Sequence, residues 1–138
     1  MASDRIIDSA SSSPPRQSSL YNSISSQSDF SAIAKAFSYI PLKLDTRNYI
    51  FWKAQILATI RAFDLVLFLN KTSPPKRVPG PDGESVVNSE YLSWIRSDQM
   101  LLGWLFSTIS EEVLAQVIYL ESSTEVWILL ENLYARET

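Results

Sequence analysis

From Leu44 to Thr138 the apolar residues return every third or fourth position and nowhere alternate, and this period constrains the fold more than any other feature. Take the stretch beginning at Tyr49. At about 100° per residue, Trp52, Phe63, Ile56, Tyr49 and Ile60 fall within one arc of roughly 80°, the stripe of a core-facing helix. Tyr49 and Trp52 therefore read as core residues rather than as a stacking platform for nucleic acid. Phe51 points away from that stripe, among Ala54, Ala58 and Ala62.

The same reading extends along the chain. Asp45 or Thr46 is expected to cap the first of these helices, which runs to about Phe63. Asp64–Asn70 reads as a short continuation or a second short helix. The next segment, KTSPPKRVPGPDGESV, holds four prolines and two glycines, which predicts a loop over 71–87 with no regular element. A loop of that length is a suspect for function, but its Lys76-Arg77 pair reads as solvated linker. Asn88 or Ser89 caps a long helix to about Ile109. Ser110 caps another, with Glu111 and Glu112 favourably placed near its N-terminus. Ser122 to Glu125 fits a capping box and opens a last helix to about Arg136. The predicted class is all-α, a small bundle of about four to five helices.

In the long helix, Leu101, Trp94, Leu105, Tyr91, Ile109, Leu102, Ile95 and Phe106 share one broad arc, with Asp98 near its centre. A buried carboxylate needs a partner; a helix N-terminus, a Trp indole N–H, Lys53 or Arg47 are the choices. Met100 and Trp104 lie on the opposite face. In the last helix Val126, Leu130, Leu133, Trp127 and Tyr134 form the stripe, and Ile128 stands outside it. The apolar residues left over (Phe51, Met100, Trp104 and Ile128) are the candidates for self-association, since Met and Trp are enriched at interfaces.

The first forty positions differ. Met1 to about Gln27 is rich in Ser and has too little apolar surface to offset the entropy of ordering, so it is expected to be disordered. Phe30, Ile33, Phe37 and Ile40 then recur at helical spacing behind Asp29, as a short docking helix or a peptide that binds a partner. Pro41 breaks the pattern. The expected organisation is a tail over 1–39, with a possible short helix near 29–38, and a helical domain over 40–138.

Composition narrows the function. The net charge of −3 argues against direct nucleic-acid binding, which draws most of its affinity from basic side chains meeting phosphate. There is no Cys and no His, which removes thiolate zinc sites, imidazole ligands and His or Cys catalysis. A cytosolic or nuclear setting fits. No apolar run approaches the ~18 residues of a membrane span, and no phosphate-cradling glycine loop or nucleophile–base pair is present. The chain is expected not to be an enzyme, to hold no cofactor or metal, and not to engage membranes.

Three segments in order carry a resemblance. Leu44-Asp45-Thr46-Arg47-Asn48-Tyr49 followed by Trp52-Lys53 resembles the L-x-x-x-N-Y-x-x-W opening of the Gag polyprotein from plant copia-type retrotransposons. Trp94 to Gln99 is similar to its W-x-x-x-D-Q segment, and Glu125 to Tyr134 to its E-V-W-x-x-L-x-x-L-Y segment. The resemblance spans about Ile40 to Tyr134. It implies the amino-terminal, capsid-like part of Gag, whose core would use Leu44, Asn48, Tyr49, Trp52, Trp94, Asp98, Trp127, Leu130 and Tyr134. Such proteins self-associate into particles that enclose RNA, so the implied partners are further copies or other Gag chains. The family's Gag continues into more helices and commonly a Cys/His zinc knuckle, so the chain is expected to be a truncated version. A helical adaptor derived from such a domain is the alternative.

Overall fold

The computed structural model describes residues 27–70 and 72–136. Among the described residues there are six helices and one small hairpin: α1 (Gln27–Ser38), α2 (Tyr49–Ala62), α3 (Leu67–Asn70), β1 (Arg77–Pro79), β2 (Ser85–Val87), α4 (Ser89–Ser107), α5 (Glu111–Val117) and α6 (Ser123–Tyr134). The helical class agrees with the period of the sequence. The expected disorder of the N-terminal tail concerns residues that, up to 26, lie outside the described ones.

Helix α2 begins at Tyr49, with Asn48 rather than Asp45 or Thr46 in the N-cap position. The Asn48 side chain turns back instead of capping. Its Oδ1 accepts from the Asp45 N–H at 2.8 Å and its Nδ2 donates to the Lys43 carbonyl at 2.9 Å. This fold of the entering loop sets Leu44 against the α4–α5 connection, where the Leu44 N–H meets the Thr108 carbonyl at 2.8 Å and the Ser110 N–H meets the Leu44 carbonyl at 2.9 Å. Helix α2 ends in a Schellman arrangement. Asp64 takes the left-handed conformation (φ 56°) and the Leu65 N–H reaches the Ile60 carbonyl at 3.0 Å. The turn carries Leu65 into the core and starts α3 as a separate helix.

The structure corrects the expectation of an irregular loop over 71–87. Arg77 faces Val87, Val78 faces Val86 and Pro79 faces Ser85 in an antiparallel ribbon. The backbone bonds Gly80 N–H to Glu84 and Asn88 N–H to Lys76 mark the hydrogen-bonded pairs. Alternation then puts Pro79 in a non-bonded pair, where its missing N–H costs no ladder bond. Gly83, at φ 78°, closes the turn with an N–H bond to Gly80 at 3.0 Å. The ribbon is tied to α4 by Asn88, whose Nδ2 donates to the Pro75 carbonyl at 2.8 Å while its Oδ1 accepts from the Glu90 N–H.

Helix α6 lies centrally and packs on α3, α4 and α5. Its N-terminus carries the expected capping box in modified form. Ser122 accepts from the Glu125 N–H at 3.2 Å, and Glu125 accepts from the Glu121 N–H at 3.1 Å, one residue before the cap. The folded body starts earlier than residue 40. Ile33 and Phe37 of α1 are fully buried in the same core as Trp52 and Leu101, so α1 belongs to the domain and not to a tail.

Candidate interaction site

Most of the residues marked out by the three sequence segments meet in the core, where Leu44, Tyr49, Trp52, Trp94, Asp98, Trp127, Leu130 and Tyr134 are buried; Asn48 departs from that expectation, being half-buried in the loop that enters α2. Trp52 is wholly buried. Its indole N–H donates to the Thr108 carbonyl at 3.1 Å and to its hydroxyl at 3.2 Å, which fastens α2 to the end of α4. Its ring lies 5.8 Å from that of Trp127 on α6 and 6.1 Å from that of Tyr49. Trp94 packs on Phe68 of α3 at 5.4 Å. Leu44 and Leu130 are buried completely, and Tyr134 accepts from Gln116 of α5 at 2.6 Å.

Asp98 is buried on α4, facing the start of α6. Its Oδ1 accepts from the Ser123 N–H at 3.2 Å, and the Ser123 hydroxyl donates to the Asp98 main-chain carbonyl at 3.0 Å. Gln99 donates to Asp98 Oδ2 at 3.3 Å and to the Glu121 carbonyl at 2.7 Å. Of the partners weighed for this carboxylate, the structure supplies a helix N-terminus. Burial pushes the Asp98 carboxyl above its ordinary range and the nearby Glu125 adds to the rise, while the bonds from Ser123 and Gln99 oppose it. Burial, helped by the charge of Glu131, pushes the Tyr49 hydroxyl up to about 12. Neither group stands in a constellation of the kind catalysis requires.

The four candidate self-association residues divide. Met100 and Trp104 do not form a free surface: both are half-buried against the core, and Trp104 lies beneath α1. The Trp104 ring sits 5.6 Å from Phe30 and 5.6 Å from Phe37. The leftover face of α4 and the leftover peptide at residues 29–40 are each other's partner. Phe51 and Ile128, by contrast, are 68% and 50% exposed.

Ile128 lines a groove of about 480 Å³ between α2, α3 and α6. Leu57, Val66, Leu69 and Trp127 share its lining with Ile128. Two cations from α2, Lys53 and Arg61, and Glu131 from α6 stand with them. Lys53 pairs with Glu131 at 3.1 Å, and Arg61 makes no ion pair among the described residues. The helical interval Lys53, Leu57, Arg61 was the signal in the sequence for this wall. It was hidden because the other walls come from segments distant in the chain. Among the described residues no group of three potential metal ligands occurs, and no helix is long and apolar enough to cross a membrane.

An open, partly apolar groove is the kind of concavity in which a ligand or a partner can be bound. Two curated proteins of Arabidopsis thaliana are similar to this chain, the retrovirus-related Pol polyproteins from transposons RE2 and RE1. Each is 30% identical over 94 residues, covering 67% of this chain. The chain spans about 6% of the length of these relatives. No family model matches, and no solved structure matches. The chain is retrotransposon-related.

Proposed function

We propose that this chain is a capsid-like structural domain, the Gag-type portion of a copia-type retrotransposon, and that it acts by associating with copies of itself or other Gag chains during particle assembly. The observation that carries the reading is the use made of the three Gag-like segments. Their residues lock helices together: Trp52 on Thr108, Asp98 on Ser123, and Trp127 against Trp52. A signature spent on framework, with none of it gathered into a reactive site, fits a protein whose product is a shape. On this reading the chain performs no turnover, holds no cofactor and leaves RNA binding to other parts of a longer polyprotein. Its acidic balance of −3 agrees with that division of labour.

Sedimentation of the chain over a wide concentration range tests the proposal. Reversible association that grows with concentration is the expected result. A strict monomer at hundreds of micromolar would overturn it in favour of the second reading, a helical adaptor. One observation favours that alternative: Trp104, one of the four candidate self-association residues, is already covered within one chain by Phe30 and Phe37.

A further inference from the structure

Two exposed surfaces of the molecule carry complementary unspent chemistry. The first is the groove of α2, α3 and α6, apolar within and with the cation Arg61 left unpaired among the described residues. The second is the outer side of α5. There Glu111 and Glu112 are exposed, with no ion pair among the described residues, and at the other end Ile118 and Tyr119 are 58% and 68% exposed. Acids at one end and two large apolar side chains at the other match a groove with a cation and an apolar lining. The dimensions agree. Lys53 to Arg61 covers about 12 Å of helix, and Glu111 to Ile118 about 10 Å, at ~1.5 Å per residue.

We infer that the groove of one copy receives the α5 face of a second copy, with Ile118 and Tyr119 set against Ile128 and Trp127 and the acids set toward Arg61. This inference rests on the self-association reading above and deepens it by naming both halves of the contact. The two halves are different surfaces, so the contact is heterologous. Each copy that fills a neighbour's groove presents its own empty groove, and the contact propagates into a ring or an open chain. That is the property a shell-forming unit needs and a two-fold dimer lacks. Charge steers the encounter, so association weakens as salt rises.

The experiment separates the surfaces. A groove variant, Arg61→Glu with Ile128→Ser, and a face variant, Glu111→Lys with Glu112→Lys, are sedimented alone and mixed. All four positions are exposed, and thermal melts check that both variants fold. Each variant alone should associate at least about tenfold more weakly than wild type, as loss of close interfacial charge pairs does. Mixed, they should form a one-to-one complex, because the intact groove of the face variant meets the intact face of the groove variant. A chain carrying Arg61→Glu together with Glu111→Lys and Glu112→Lys should recover association. If wild type is monomeric, the self-association reading itself fails. If wild type associates but either variant still associates as wild type does, or the mixture gives no complex, this interface alone is overturned.

Discussion

The seam between α1 and α4 and the groove between α2, α3 and α6 start from the same kind of sequence. Each involves apolar residues left over after a helix's core stripe has been assigned. The seam is closed: Phe30 and Phe37 lie over Trp104, and Ile33 and Phe37 are buried. The groove is open, with Ile128 half exposed and Arg61 unpaired among the described residues. The difference lies in whether a second element lies over the face among the described residues. After α1, residues 39–48 bring the chain to α2 in one short connection. No described helix crosses the groove. A surplus apolar face therefore becomes core or interface according to what the rest of the chain can lay over it.

The largest effect should come from opening the seam. Phe37→Ala removes a buried ring and should cost about 3–5 kcal/mol, as truncation of core aromatics does. Thermal melting reads the loss. Amide exchange should show α1 losing protection before α6, and uniform loss across all helices would mean that α1 is not a separable layer.

The groove's α6 wall is held by Asp98, so its removal is the next test. Asp98→Ala leaves the Ser123 N–H unpaired and should destabilise by about 1–3 kcal/mol. Unchanged melting would show that the capping bond at the start of α6 contributes nothing.

The same carboxyl predicts a pH dependence. Its folded-state value is raised above the unfolded one by burial. In the window between the two values the folded protein binds more protons. The stabilisation is therefore fully present below the unfolded value and is lost as pH rises through the folded one. The melting temperature of wild type relative to Asp98→Asn should fall between acid and neutral pH. A difference that grows with pH would reverse the assigned sign.

Smaller effects are expected behind and inside the groove. Tyr49 bears a buried hydroxyl with no hydrogen-bond partner among the described residues, and its ring lies 5.8 Å from the Lys53 ammonium. Tyr49→Phe should change stability by less than about 1 kcal/mol, with a gain more in keeping with the unpaired hydroxyl than a loss. Ile128→Ser should alter melting least, within about 0.5 kcal/mol as for other surface changes, while weakening association. A large drop in melting temperature would place Ile128 in the core and erase the contrast between groove and seam.

The period of the apolar residues, with the capping residues Asn88 and Ser122, was enough to predict the helices seen as α2, α4, α5 and α6, because helix signals act over three or four positions. The core stripe with Tyr49, Trp52 and Ile56 followed from the same local rule. The hairpin escaped because four prolines argue against a strand, unless one falls in a non-bonded pair, as Pro79 does. That register depends on residues opposite it. Pairings over longer distances were likewise out of reach. A buried Asp98 announced that it needed a partner, but only packing placed Ser123, twenty-five positions on, within reach. Met100 and Trp104 look the same in sequence as Phe51 and Ile128, since each is an apolar residue off its helix's main stripe. Which of them meets solvent is decided by where α1 comes to rest, and burial depends on every neighbour in space rather than on the residue's own helix.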